Sequence, residues 1–308
     1  MRAFVMLGVT ACLAACGDSA PVMHAPGPEP APGDNPSGVL NIAHRGYSAV
    51  APENTLIAVE RAIAAGADYI EVDVQMASDG VIVVMHDTSL ARTTNVEVQH
   101  PLRPPWRVGA FTAGAITALD AGTWFTRRHP GGPDYRGEPV PTLAEVLAAL
   151  DGRAGLLLEV KSPSLYPGMA PAVADTLSDA GWVVDGRAVQ PLIVQSFDWD
   201  FMAEYANLHP DVPNAVLGGP PGNEDEWRFL ASFTDSVNPG HARVDAAVVE
   251  EIHDRGFDIS VYTVNDADRM RELVGFGVDG IISDEVERLG AVLAEARPET
   301  ASATADAR

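Results

Sequence analysis

Cysteine is almost missing from this chain. Cys12 and Cys16 are the only two in 308 residues, and both lie near the start. No disulfide framework or cysteine-based metal site can therefore shape the body of the protein, whose stability must come from packing. Lysine is scarcer still, with Lys161 alone against nineteen arginines. A composition that has drifted this far toward arginine retains lysine by chance or where a compact point charge is needed, and the place of Lys161 two residues from Glu159 at the end of an apolar run favours the second. Positive charge as a whole is short. The formal net charge is −23, which argues against nucleic acid as a partner and against adhesion to an anionic membrane by charge alone. A long apolar run is missing too: the stretch from Ala3 to Ala15 is too short to cross a bilayer.

What the start does carry is a positive opening, Met1-Arg2, then that apolar stretch, then "LAAC" ending at Cys16. LAAC resembles a bacterial lipoprotein cleavage box, the alternative being an ordinary secretory signal with an incidental cysteine. On the lipoprotein reading residues 1–15 leave and Cys16 becomes the lipid-bearing N-terminus. The protein then meets a membrane through that anchor and works at the bacterial cell envelope, outside the cytoplasm. Residues 16–38 are rich in proline and poor in large apolar side chains, so they read as a flexible tether. Residues 296–308 read as a disordered tail.

Between 39 and 295 short apolar runs alternate with helix-like stretches, and 46% hydrophobic content permits a full core. Eight runs read as parallel strands: Val39–Ala43, Tyr69–Gln75, Leu156–Lys161, Leu192–Ser196, Asn214–Leu217, Asp235–Asn238, Ile259–Tyr262 and Gly280–Ser283. Eight parallel strands with crossover helices predict an α/β fold, a (β/α)₈ TIM barrel. A doubly wound open sheet is the alternative, but no glycine-rich dinucleotide fingerprint follows the first strand. A ninth run, Val81–Met85, follows Asp79-Gly80 and reads as an antiparallel return of the second strand through a two-residue turn, which sets Asp73 opposite His86. Residues 88–141 are too long and too rich in proline and glycine for one crossover. They predict a small insertion after the second barrel strand, followed by a helix over 143–150 capped by Thr142.

Barrel active sites gather where strands end. The first strand delivers His44, Arg45 and Gly46; the second delivers Glu71 and Asp73 on one face; the return brings His86 and Asp87; the next barrel strand ends on Glu159 and Lys161. Uncompensated, three carboxylates at close quarters repel one another. Oxygen donors without cysteine suit a hard divalent cation, Ca²⁺ or Mg²⁺, whereas the blander arrangement is a set of buried ion pairs with Arg45 and Lys161. Asn54 is placed either to cap a helix or to brace the site, and Asp87 to orient His86 or to meet solvent. His100, His129, His209 and His253 read as solvated, and His241 lies nearer the mouth.

The segments "AHRG", "APENT", "EVDVQMASDGVIVVMHD", "ARTT", "LDAGTWF", "VPTLAEVL", "LEVK", "QSFD", "VYTVN" and "DGIISD" resemble, in order, the glycerophosphodiester phosphodiesterase family over residues 39 to about 290. The resemblance implies hydrolysis of water-soluble glycerophosphodiesters to sn-glycerol 3-phosphate and an alcohol, with a divalent cation on Glu71, Asp73 and Glu159. It implies His44 and His86 as the acid–base pair, Arg45 and Lys161 at the phosphate, and Phe197 and Tyr262 lining the glycerol or leaving-group side. Where many members carry tryptophan in "VYTVN", this chain has Tyr262, which makes that wall more polar. A departing alkoxide needs a proton and the nucleophile must lose one, so His44 is expected as base and His86 as acid. The reverse order and a cyclic phosphate intermediate stay open. Two rivals remain: a phospholipase D-like lipid phosphodiesterase, for which Trp106, Phe111, Trp124 and Phe125 of the insertion could offer an apolar mouth, and a non-catalytic phosphodiester-binding lipoprotein.

Overall fold

The computed structural model describes residues 38–296. The expectations placed on 1–37, Cys16 among them, and on 297–308 lie outside the described residues. Eleven strands occur within them: β1 (Leu40–Ala43), β2 (Tyr69–Met76), β3 (Ile82–Val84), β4 (Gly155–Val160), β5 (Val183–Val184), β6 (Arg187–Ala188), β7 (Leu192–Ser196), β8 (Asn214–Leu217), β9 (Ser236–Asn238), β10 (Ser260–Val261) and β11 (Gly280–Ser283). Eight run parallel in the order β10-β11-β1-β2-β4-β7-β8-β9. Parallel bridges Ser236–Asp258 and Gly240–Tyr262 bring β9 beside β10, so the sheet closes into a (β/α)₈ barrel. All eight expected barrel strands are present, with ends shifted by at most two residues. The β5–β6 hairpin lies outside the barrel and was not expected; two residues per strand leave no periodic signal in a sequence.

Helices α1 (Leu56–Ala64), α2 (Val96–Gln99), α3 (Ala113–Thr117), α4 (Thr123–Arg128), α5 (Leu143–Leu150), α6 (Met169–Asp179), α7 (Trp199–Leu208), α8 (Glu224–Leu230), α9 (Ala246–Asp254), α10 (Ala267–Phe276) and α11 (Val286–Glu295) complete the chain. Side-chain caps fix several of their starts. Thr55 caps α1 by accepting the Ala58 amide, and Thr142 caps α5 in a reciprocal box with Glu145, as the sequence predicted.

Strand periodicity sorts side chains into two layers. Ile70, Val72 and Val74 of β2 join Val59 and Ala62 of α1 in the main core between barrel and helices. The alternate residues point inward. At the bottom, Ile42, Tyr69, Leu157 and Ile282 form an apolar floor. Gly155 makes room for it, since a Cβ there would fall 2.5 Å from the Tyr69 ring. Higher on the same inner faces come Glu71, Asp73, Gln75, Glu159 and Gln195, all buried. A dry floor beneath a charged upper layer is what positions the site.

The hairpin differs from expectation by one residue. Observed pairs are Val74–Val84, Gln75–Val83 and Met76–Ile82, and the Met85 amide donates to the Asp73 carbonyl. Asp73 is therefore opposite Met85, not His86. The cause is a three-residue loop: Ala77 and Val81 close it, and Gly80 takes the left-handed position (φ 84°). His86 escapes the ladder altogether and sits on the loop beyond β3.

Residues 88–141 fold as α2 to α4 with connecting turns. Phe111 is buried with Val83, Met85 and Leu90, and Trp106 packs against that cluster. Phe125 and Tyr135 form another small core with Ala51 and Ala58, against which Trp124 packs. Phe111 and Phe125 are buried in these clusters, and Trp106 and Trp124 are partly buried against them.

Arg45 and Gly46 both leave β1 in the left-handed region, at φ 56° and 76°, and a Cβ on Gly46 would fall 2.6 Å from the Ala58 carbonyl carbon. Gly46→Ala should therefore cost about 2 kcal/mol or more of unfolding free energy, read as a lower urea midpoint. An unchanged midpoint would show that the turn and α1 can move apart.

Candidate active site

The turn after β1 is tied directly to β2. The Arg45 amide donates to Glu71 Oε2 at 2.7 Å, and the Gly46 amide donates to the Glu71 carbonyl at 3.1 Å. Asn54 completes the junction: its side chain donates to Asp73 Oδ2 at 2.8 Å and accepts the Asp73 amide at 3.1 Å. Asn54 thus braces the site, while Thr55 takes the capping role.

Glu71, Asp73 and Glu159 converge as expected, with one ligand oxygen from each lying within 4.8 Å of the others. Glu71 and Asp73 are 1% and 0% exposed. Glu71 Oε1 and Asp73 Oδ1 are buried without a hydrogen-bond donor among the described residues. Arg45 Nε approaches Asp73 Oδ2 at 3.2 Å and Lys161 Nζ approaches Asp73 Oδ1 at 3.5 Å, while Lys161 also pairs with Glu159. Two cations thus answer three carboxylates, and two acceptor oxygens lack a hydrogen-bond donor, Asp73 Oδ1 meeting only the longer ion pair with Lys161. Buried, undonated carboxylate oxygens at this spacing fit a hard divalent cation.

The titration behaviour follows. Burial, then Asp73 and Glu159, raise Glu71 well above the ordinary carboxylate range. Burial and Asp73 push Glu159 up to about 7 against the pull of Lys161. Burial opposes ionisation of Asp73 as well, but Arg45, Lys161 and both histidines outweigh it and hold its pKa low. The three carboxylates are thus poised unequally.

Each histidine is held by a carboxylate. His44 Nδ1 lies 2.6 Å from Asp284 Oδ1, which also accepts Ser48 Oγ at 2.8 Å, while Asn265 Nδ2 donates to Asp284 Oδ2 at 2.6 Å. His86 Nδ1 lies 2.6 Å from Asp87 Oδ1. An ionised carboxylate only accepts, so Nδ1 carries the proton and Nε2 is left as the free ring nitrogen. Burial lowers the His86 pKa, with Asp73 pulling the other way.

Sequence reasoning missed four supports. Arg92 donates to both Asp87 oxygens and to both Glu53 oxygens, and Glu53 accepts Arg45 Nη1 at 2.8 Å. A chain of charges thereby links His86 to Arg45. Gln75 donates its amide to the carbonyls of Met85, His86 and Asp87, and accepts Tyr166 Oη at 2.6 Å, which fixes the loop that carries His86. The signal for Gln75 was its place two residues after Asp73 on the same strand face. For Asp284 it was its place just beyond the end of β11. Arg92 and Glu53 lie in loops and left no such mark.

Of the remaining expected residues, Phe197 and Tyr262 meet edge to face at 5.9 Å, and Lys161 Nζ lies 5.5 Å from the centre of the Phe197 ring. His241 lies at the mouth beside Tyr262. His129 and His253 are exposed as expected, but His100 and His209 are half-buried: His100 packs on Phe111 and His209 against Tyr205.

A sequence model of the glycerophosphoryl diester phosphodiesterase family matches residues 44–288. A glycerophosphodiester phosphodiesterase of Bacillus subtilis (strain 168) is 33% identical over 263 residues, covering 81% of this chain and 85% of its own. A crystal structure of a glycerophosphodiester phosphodiesterase from Agrobacterium tumefaciens is 29% identical, covers 81% of this chain and 98% of that one, and superposes with a TM-score of 0.63. An Oleispira antarctica phosphodiesterase, solved with the product sn-glycerol-3-phosphate, is 26% identical, covers 82% and 96%, and gives a TM-score of 0.71.

The His44 pair has a consequence for stability in acid. Burial works against the Asp284 charge, but the bonds from His44, Asn265 and Ser48 hold its pKa at about 2. The folded value lies below the unfolded one, so this carboxylate stabilises the fold above pH ~4, by about 2 kcal/mol, and that contribution is lost as pH falls to ~2. Asp284→Asn should flatten the pH dependence of the unfolding free energy across that window. A variant with the wild-type acid slope would show that Asp284 does not supply it.

Proposed function

Because the chain belongs to the glycerophosphoryl diester phosphodiesterase family, we propose that His44 and His86 carry the proton transfers of glycerophosphodiester hydrolysis beside a divalent cation held by Glu71, Asp73 and Glu159. The protein is a glycerophosphodiester phosphodiesterase, a phosphoric diester hydrolase. Its products on this reading are sn-glycerol 3-phosphate and an alcohol. One observation carries the mechanism: two histidines, each braced by its own aspartate, stand with the bare carboxylate cluster at one end of one barrel.

A bound Ca²⁺ or Mg²⁺ would supply the positive charge that a phosphodiester anion requires before a nucleophile can approach. The chain's own residues do the rest. Arg45 and Lys161 neutralise phosphate oxygens, and Phe197 and Tyr262 pack against one arm of the diester. His44, its Nδ1 proton held by Asp284, accepts a proton at Nε2 from the glycerol 2-hydroxyl or from water. His86, oriented by Asp87, donates one to the departing alkoxide. Burial lowers the His86 pKa, which makes its protonated form a stronger acid and leaves less of it at pH 7. The catalytic barrel is assigned to 39–295, with residues 88–141 as its insertion. Burial of Phe111 and Phe125 favours the water-soluble diester over the lipid-cleaving alternative, and a paired acid and base exceeds what simple capture needs.

The test is release of sn-glycerol 3-phosphate from glycerophosphocholine, lost on chelation and restored by added Ca²⁺ or Mg²⁺. His44→Ala and His86→Ala should each cost roughly 10²-fold or more in kcat. A nitrophenyl diester, whose leaving group needs no proton, should partly rescue His86→Ala alone. Rescue of His44→Ala instead would reverse the two roles, and full activity in chelator would remove the cation.

The location rests on sequence alone. We infer a lipoprotein signal over 1–15, a lipid on Cys16, a tether to residue 38, a disordered tail over 296–308 and work at the cell envelope. Cys16→Ser should move the protein from membranes to the soluble fraction with turnover of glycerophosphocholine nearly unchanged, and fatty-acid labelling should mark only the wild type. A variant that stays membrane-bound, beside a wild type that takes no label, would end the lipoprotein reading.

A further inference from the structure

We propose, resting on the glycerophosphodiester reading, that the barrel mouth holds a subsite for the alcohol arm of the substrate, recognised by Arg243 and shaped for an alcohol that itself carries an anionic group. The subsite is a cavity of about 340 Å³ lined by Phe197, Gly219, His241, Arg243 and Tyr262 among others. Its inner wall belongs to the reaction site. Phe197 lies under Lys161 Nζ, and Tyr262 meets Phe197 edge to face while packing on the apolar floor of the barrel. A diester with its phosphate at Lys161 therefore reaches this cavity by passing one arm over the Phe197–Tyr262 pair.

The outer wall is cationic. No aspartate or glutamate lines the cavity, although the chain as a whole is strongly acidic. The Arg243 guanidinium lies along Gly219, with Nη1 3.7 Å from where a Cβ would sit. Ten of the sixteen described arginines pair with a carboxylate. Arg243 pairs with none among the described residues. An exposed guanidinium with no carboxylate partner keeps its fork of donors free for a planar or tetrahedral anion and repels a quaternary ammonium.

A contrasting groove lies across the Phe197 ridge, lined by Ser162, Asp198, Trp199, Asp200 and Phe229. Aromatic rings with carboxylates are the surroundings a cationic head group selects. Asp198, however, is already engaged, since its carboxylate accepts the Phe201 amide at 3.0 Å to cap α7. Asp200 stays exposed there, so the two sides of the Phe197 ridge carry opposite charge, and the alcohol arm is assigned to the Arg243 side.

The experiment compares kcat/KM of the full-length enzyme for glycerophosphocholine and for bis(glycerophospho)glycerol, whose alcohol arm bears a second phosphodiester, counted per scissile bond. The anionic diester should be preferred by roughly tenfold at low salt, and high salt should shrink that preference. Arg243→Ala should lower the ratio at least fivefold, Arg243→Glu should invert it, and Arg243→Lys should retain most of it. An unchanged ratio in the Ala and Glu variants overturns the proposal. So does an equal loss on both diesters, which would place Arg243 at the shared glycerol phosphate, and so does a wild-type preference for the choline diester, which would move the alcohol arm to the Asp198 groove. If Arg243→Ala fails to fold, the salt dependence of the wild-type ratio decides: a preference that salt does not shrink overturns it. An enzyme that cleaves neither diester overturns the underlying reading as well.

Discussion

Three buried carboxylates packed at the inner face of the barrel dominate this structure. Glu71 and Asp73 on one strand and Glu159 on its neighbour cannot all be charged and dry without an answering positive charge. Much of the surrounding structure supplies part of that answer. The turn after β1 brings in Arg45 and turns its amide onto Glu71. The end of β4 brings in the chain's single lysine. Asn54 satisfies Asp73 from two sides. What remains is two buried oxygens without a hydrogen-bond donor among the described residues, Glu71 Oε1 and Asp73 Oδ1, in a cluster whose spacing could hold a metal ion.

The histidines show the complementary principle. Neither sits on a regular strand, and loop side chains need support to hold a rotamer. His44 is held by a residue from the far end of the chain, Asp284, itself fixed by Ser48 and Asn265. His86 is held by its neighbour Asp87, by Arg92, and by Gln75 reaching across from β2. The barrel therefore contributes rigidity twice: once as a frame for the carboxylates and again as the anchor for loops that could not order themselves.

The parts legible in the sequence were those with a repeating or paired signature. Buried parallel strands read as apolar runs, and inward polar residues interrupt them at every second position, so Glu71 with Asp73 and Glu159 with Lys161 could be seen before any coordinates. The helix start at Thr142 carried its own partner, Glu145. The hairpin register was not legible, because a two-residue and a three-residue loop both fit Ser78-Asp79-Gly80 and only the backbone of Gly80 decides between them. Asp284 and Arg92 were missed as supports because what they support lies 240 residues away or in another loop; the place of Asp284 at a strand end marked it as near the site but not as the partner of His44.

Lys161 has one further consequence. It is the chain's only side-chain primary amine, and it lies in the carboxylate cluster with 16% of its side chain exposed. Reagents that acylate or reductively alkylate amines therefore find a single lysine target, and that target stands beside Asp73 and Glu159. Lysine-directed conjugation, lysine-to-lysine cross-linking and lysine acetylation have no other target in the sequence. For a chemist, the carboxylate cluster holds the only lysine handle this protein offers.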